Sequence, residues 1–395
     1  MKIWMQSFNW YPHELGGAER SARALACGLA RAGHTVRIVL SDGVPGYPER
    51  IDGLPVQVIE GSRLGTSPLA AGKRSFVSRA LWNLRGEIDP ALALRWRHAL
   101  AHDRPDVVIF NNPAGHGALA LAACRLADVP TVAVLRDYGW VCAHGTMMRG
   151  DRPCEGLCGR CRATLTWRRT ELSKTTRVVA ISQTMADLAQ NLAGVPDPII
   201  VPPALPDAVF DTPRPARAPG PLRVGYLGRL HPSKGVNVLI DAWFRMRNRQ
   251  DAQLLLAGPD QGIELRADAQ ACGIKYLGPV SDPVRFLDNI DLLVLPGLWA
   301  EPFGRTVIEA RARGCALIVT DRGAPPTLLS SLDTRQRVVP AGDVTALAQA
   351  LEEAISSSDT ILSHDVVRDL GPDLPHYREA AILAQWQGIL AGMTA

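Results

Sequence analysis

The chain has 395 residues, 47% of them hydrophobic and 21% charged, with a formal net charge of +4. That length exceeds what one hydrophobic core ordinarily supports and points to two domains of roughly 200 residues each. The small charge gives no argument for a nucleic-acid partner, and no apolar run approaches the ~18 residues of a membrane span. The start, MKIWMQSFNW, lacks the apolar core of a secretory signal, so a cytoplasmic protein is expected.

Short apolar runs alternate with longer helical patterns, as in βαβ units around parallel sheets. In the first half, strands are predicted at 2–5, 35–40, 107–110, 131–135 and 178–181, with helices starting near Ala18, Ala118 and Gln183. Between Pro202 and Pro221 the prolines are too dense for a helix or a central strand, and 206–221 reads as an interdomain linker. A second α/β series follows, with strands expected at 223–227, 253–257, 275–277, 292–295 and 316–320, and a last helical stretch over 377–390. The expected domains are 1–205 and 222–372.

Three motifs sit where strands give way to helices. The most informative runs from the apolar Leu292–Leu295 through Pro296 and Gly297 to Glu301-Pro-Phe303-Gly304-Arg305-Thr306, with Glu309 inside the helix that starts there. Ligands of open α/β sheets bind beyond the carboxyl ends of the strands, and a helix start offers N–H groups and positive potential to an anion. Glu301 and Glu309 can each accept hydrogen bonds from neighbouring hydroxyls, which sugars and ribose provide. In the second motif a strand leads into Gly228-Arg229, and Lys234 follows before Gly235; two cations there suit a diphosphate. The third is Glu14-Leu-Gly16-Gly17-Ala-Glu19, whose paired glycines let a ligand approach the backbone.

Together these motifs resemble the retaining glycosyltransferases grouped as family 4, over almost the whole chain. The resemblance implies an α/β GT-B fold: two facing Rossmann-like domains with parallel sheets and an interdomain cleft. The N-terminal domain would bind the acceptor, the C-terminal domain would bind a nucleoside-diphosphate-sugar, and the final helix, 377–395, would pack back on the N-terminal domain. It assigns the donor sugar to Glu301 and the Phe303 and Gly304 amides, the ribose to Glu309, and the diphosphate to Arg229 and Lys234. Arg229, Lys234 and Glu301 form the expected catalytic set, and Gly16, Gly17, Arg305 and Thr306 complete the donor-binding set. No cofactor is required for such a transfer, because cationic side chains carry the leaving-group charge. Where the family often has a histidine after the fourth strand, this chain has Arg136, followed by Asp137; with His116 they are candidate acceptor or donor contacts. Pro202-Pro203 stand where Asn-Gly is usual.

Cys142, Cys154, Cys158 and Cys161 have a spacing that suits a closed tetrahedral zinc site of structural role, or an iron–sulfur cluster on the same thiolates. Family members with a similar insert share the Asp137-Tyr-x-Trp140-x-Cys142 opening. The stretch from Arg63 to Arg104 carries Lys73, Arg74, Arg79, Arg85, Arg95 and Arg97 with Trp82 and Trp96 among them. It reads either as a peripheral contact with the inner membrane face or as solvated helices with inward tryptophans. The expected acceptor is a sugar, a lipid-linked glycan or a small molecule, with no nucleic acid. Two other functions remain open: a nucleotide-sugar 2-epimerase on the same fold, and a non-catalytic nucleotide-sugar-binding protein.

Overall fold

The computed structural model describes residues 1–13, 17–41, 47–61, 76–150, 152–263, 268–362 and 373–393. The chain divides into two compact units. One comprises Met1–Met147, Cys154–Ala204 and Glu379–Ala395, and the other Met148–Pro153 with Leu205–Arg378.

The first unit is built on β1 (Lys2–Ser7), β2 (Thr35–Ser41), β3 (Arg50–Ile51), β4 (Leu54–Ile59), β5 (Val107–Phe110) and β6 (Thr131–Leu135). After a small hairpin of β7 (Met148–Arg149) and β8 (Arg152–Pro153), β9 (Arg177–Ala180) and β10 (Ile199–Ile200) complete the sheet. The order is β10-β9-β6-β5-β1-β2-β4-β3, parallel except for the short β3–β4 pair. Every residue of β5 and β6 is buried, which explains their unbroken apolar sequences: both faces are covered by helices. Those helices include α1 (Gly17–Arg31), α2 (Phe76–Ile88), α3 (Pro90–His102), α4 (Gly117–Leu126), α5 (Gly159–Thr164), α6 (Thr166–Ser173) and α7 (Gln183–Ala193). Asp89 starts α3 by accepting from Ala91 N (3.0 Å), ahead of a proline that suits the first turn. Trp96 of α3 is fully buried, with its ring 6.2 Å from Trp4 and 5.7 Å from Phe110. Of the two tryptophans in the basic stretch, it therefore packs inward. The side chain of Trp82, like that of Arg79 and residues Arg63, Lys73 and Arg74, lies outside the described residues.

In the second unit α8 (Ala208–Asp211) precedes β11 (Leu222–Leu227), α9 (Val236–Arg245), β12 (Ala252–Ala257), β13 (Ile274–Gly278), α10 (Pro283–Asp288) and β14 (Leu292–Leu295). Then come α11 (Arg305–Ala312), β15 (Ala316–Thr320), β16 (Gln336–Val339), α12 (Val344–Ser356) and α13 (Ser358–Leu362). The sheet order β13-β12-β11-β14-β15-β16 is parallel throughout and doubly wound. The proline-rich 206–221 segment is part of this unit and is fastened to it. Arg217 Nε donates to the fully buried Asp291 (2.8 Å), and Arg214 donates to the carbonyl of Ile290 (2.7 Å). Arg313 reaches the carbonyls of Val209 and Thr212 (3.2 and 2.6 Å). The unit's two ends meet: Leu205 N donates to Tyr377 O (2.9 Å), and Arg378 pairs with Asp211 (2.7 Å). Beyond that point α14 (Glu379–Ala391) lies in the first unit, where Leu383 packs 3.4 Å from the position a Gly28 side chain would take on α1.

Candidate active site

In the second unit the doubly wound order switches direction between β11 and β14, the place where such sheets bind ligands. The two motifs that follow these strands are locked together. The Ser233 carbonyl accepts from both Leu298 N (3.0 Å) and Trp299 N (3.2 Å), joining the Lys234 turn to the loop before Glu301. The contact is close enough that only glycine serves at 235: its φ is +72°, and a Cβ would lie 1.7 Å from the Pro296 carbonyl oxygen.

Lys234 Nζ donates to Glu301 Oε2 and sits 4.4 Å from the centre of the Trp299 ring. The Trp299 indole N–H donates to the same carboxylate oxygen (2.9 Å). Glu301 is pinned from behind, since Ala324 N donates to its carbonyl (2.9 Å). Here too the chain needs glycine: a Cβ on Gly323 would fall 2.3 Å from Glu301 N and O. Arg229 is exposed, with Nη1 near Gln261 Oε1 (3.4 Å), while its carbonyl accepts from the Tyr226 hydroxyl (2.7 Å). Burial and the Glu301 charge push the Tyr226 phenol well above its ordinary range, so it stays a neutral donor.

Gly304 immediately precedes α11, and Phe303 is buried with its ring 6.0 Å from Tyr377. The phenyl group is thus an anchor, and only the backbone of this turn is available to a ligand. On α11, Arg305 and Glu309 form a pair one turn apart (3.5 Å), with Thr306 half-buried between them. Glu309 is held on the rigid helix, while Glu301 lies on the loop that leads into it. In the first unit Gly17 opens α1; Gly16 lies outside the described residues.

At the carboxyl ends of β1, β5 and β6 the first unit carries a buried polar layer. Arg136 Nε donates to Asn111 Oδ1, and Asn111 Nδ2 donates to Ser7 Oγ (3.3 Å). Among the described residues the fully buried Gln6 has no partner for either amide atom, and neither does Asn9 Oδ1. Asp137 caps the following turn through Gly139 N (2.7 Å), and desolvation holds its carboxyl above the usual carboxylate range. Arg168 braces this loop, donating to Gly139 O (2.7 Å) and pairing with Glu87 (2.6 Å).

His116 differs from the expectation of a ligand-facing group. It is fully buried, accepts at Nδ1 from the Trp96 indole (3.1 Å), and presents no atom to solvent. Burial, reinforced by the Arg85 charge, drives its pKa down to about 3, so the imidazole is neutral. The four clustered cysteines form no disulfide. Cys142 and Cys161 are buried, Cys154 and Cys158 half-buried, and Cys142 and Cys158 lie close enough to Cys161 to help burial raise its thiol to about 11. Among the described residues no three His, Cys, Asp or Glu side chains stand ready as metal ligands.

Sequence reasoning missed Tyr226, Trp299, Gln6 and Asn111. Trp299 stands two residues before Glu301 and Tyr226 three before Arg229, but nothing in either spacing marks a contact across the loop pair.

The second unit thus carries a cation–carboxylate pair at the switch point of a doubly wound α/β sheet. A family model for glycosyl transferases group 1 matches residues 221–357, and one for glycosyltransferase family 4 matches 15–205. Sucrose-phosphate synthase from Thermosynechococcus elongatus superposes with a TM-score of 0.72 at 18% identity, covering 100% of this chain and 99% of that one. HepE of Anabaena, solved in complex with UDP, gives 0.70 at 17% identity over 99% and 100%. A phosphatidyl-myo-inositol mannosyltransferase of Mycobacterium leprae is 28% identical over 297 residues, 72% of this chain and 71% of its own length. The fold is GT-B. The two matched segments are those of group 1 and family 4 glycosyltransferases, and the protein is an enzyme of glycosyl transfer.

Proposed function

We propose that the enzyme transfers a glycosyl group from a nucleoside-diphosphate-sugar to an acceptor hydroxyl with retention of configuration. The observation that carries this reading is the meeting of Lys234 and Glu301 at the β11/β14 switch point. A cation suited to a diphosphate stands beside a carboxylate suited to sugar hydroxyls, with the α11 start next to both. That structural neighbours are solved with UDP and UDP-glucose supports a nucleotide-sugar donor. In the reaction the acceptor oxygen bonds to the anomeric carbon as the bond to the diphosphate oxygen breaks. The electron pair leaves with the diphosphate, whose departing oxygen takes the acceptor's hydroxyl proton and whose remaining charge Arg229 and Lys234 neutralise, so no cofactor is assigned to the step. Glu301 orients the sugar and Glu309 the ribose. Arg136, at the polar layer of the first unit, is the proposed contact for an anionic acceptor group.

The test is a thermal-shift screen of UDP-, GDP- and ADP-sugars, followed by mass spectrometry of products from candidate acceptors. An acceptor-linked product with release of the nucleoside diphosphate is expected; a screen with no shift would sink the donor assignment.

Two accessory proposals stand apart from this reading. The four cysteines would draw together around a structural zinc from an arrangement in which Cys142 and Cys158 neighbour Cys161 but, among the described residues, no three stand ready as ligands, and metal analysis of the purified protein decides it. The α2–α3 surface touches membrane lipid, supported by exposed Val77, Ile88 and Leu94 beside exposed Arg95 and Arg97. Sedimentation with anionic vesicles checks the second; no described helix is long and apolar enough to cross a membrane.

A further inference from the structure

Two groups assigned to different parts of one donor are bonded to each other. Lys234, expected on the diphosphate, donates to Glu301, expected on the sugar, and both side chains are only 19% and 28% exposed. Neither can serve the donor in full while the pair is closed. We infer that Glu301 is a competitor of the diphosphate for Lys234, and that the sugar of an intact donor relieves the competition. This rests on the donor-site reading above.

The argument follows from hydrogen-bond inventory. An ammonium has only donors and a carboxylate only acceptors, so the pair gives each charge its counter-ion without ligand. When a nucleoside diphosphate enters, Lys234 turns to phosphate oxygens. Among the described residues Glu301 is then left half-buried with the Trp299 indole N–H as its remaining side-chain donor. A half-buried carboxylate stripped of its cation is unfavourable. Sugar hydroxyls are donors as well as acceptors, and an intact nucleotide-sugar replaces what Lys234 withdraws. The site therefore distinguishes substrate from product: donor satisfies both groups, and spent diphosphate satisfies only one. After transfer removes the sugar, Glu301 recaptures Lys234 and loosens the diphosphate. Trp299 is the positioning residue of this exchange. Its N–H keeps Glu301 oriented while its ring face keeps Lys234 within reach, at 4.4 Å.

Calorimetric titration of UDP, GDP and ADP into wild type, Glu301→Gln, Glu301→Ala, Lys234→Ala and the Lys234→Ala/Glu301→Gln double variant tests the inference. Melting curves identify which variants are folded. Removing the carboxylate should tighten the nucleoside diphosphate by about threefold to tenfold, the range a partly buried ion pair of this kind commands. The gain should vanish in the Lys234→Ala background, and the same glutamate variants should bind the intact nucleotide-sugar more weakly than wild type. If Glu301→Gln and Glu301→Ala bind the diphosphate no better than wild type, the competition does not exist. If no nucleoside diphosphate binds wild type or any variant, the donor reading fails and takes this inference with it.

Discussion

The two units place polar chemistry at the carboxyl ends of very similar parallel sheets, but they do so differently. In the second unit the working groups are charged, partly exposed and paired across a loop–loop contact: Lys234, Glu301 and the exposed Arg229. In the first, the strand ends carry amides and a hydroxyl, Gln6, Ser7 and Asn111, buried beneath Arg136. Charge that must meet a diphosphate is best left near water, where it can exchange partners at little desolvation cost. Amides buried in a strand-end layer cannot exchange with solvent, so they specify shape and hydrogen-bond direction. On the proposed reading, the contrast teaches that the second unit is organised for a ligand of fixed charge, while the first adds hydrogen-bond geometry to the single charge of Arg136.

The largest expected effect breaks the comparison on the second unit's side. Lys234→Ala should lower kcat/KM for transfer by about 100- to 1,000-fold, the range for removing a group aimed at developing charge. Initial rates of nucleoside diphosphate release measure it. Arg136→Ala should instead leave diphosphate affinity unchanged while raising KM for the acceptor, and a matched loss of both would erase the distinction between the units.

Acid separates the units next. His116 is held neutral, far below its ordinary pKa, so the unfolded chain binds a proton that the folded first unit refuses. That stability is complete above about pH 6.5 and is lost as the pH falls from there toward 3. Asp291 behaves differently. Burial pushes its carboxyl up, but hydrogen bonds from Arg217 and Arg223 outweigh this and hold it below the usual carboxylate range. Its contribution is present above the unfolded carboxylate pKa and is lost only as the pH drops below that value. Denaturant midpoints followed between pH 7 and 3 should therefore show the first unit weakening first, and the opposite order would refute the assignment.

Asp291→Asn should destabilise the second unit by about 2–4 kcal/mol, because Arg217 and Arg223 lose a shared buried partner. Thermal melts of wild type and variant check the magnitude. The smallest effect is expected at Trp299: Trp299→Phe keeps the ring face for Lys234 but loses the N–H to Glu301, and should cost about threefold in donor kcat/KM.

Much of the architecture was legible because parallel strands buried on both faces read as unbroken apolar runs. Val107–Phe110 and Leu292–Leu295 are such cases. Two strands of four or more residues were not. Leu54–Ile59 carries a proline and a glutamine, and Gln336–Val339 is an edge strand with two exposed positions. Neither alternates cleanly, since each is only partly covered. The individual motifs could be placed at strand-to-helix turns because each keeps its backbone requirement in local sequence, as Gly235 and Gly304 show. Their mutual contact could not, because Lys234 and Glu301 meet across 67 positions of chain and nothing in either segment encodes the register of the other. His116 illustrates the converse. A histidine after a strand reads the same in sequence whether it faces a ligand or, as here, a tryptophan indole.

The meeting of Leu205 with Tyr377 and Arg378 makes the Leu205–Arg378 part of the second unit a nearly closed loop of chain, its entrance and exit clasped by a backbone bond and an arginine–aspartate pair. A body whose ends are joined within itself is a natural module. Residues 205–378 should survive excision as a free-standing folded protein, and they should accept new termini elsewhere once the old ones are bridged by a short linker. The same clasp sets the cost of trading donor modules between relatives: a graft cut inside it would leave Leu205 or Arg378 without its mate, whereas a graft cut just outside would carry its own fastening.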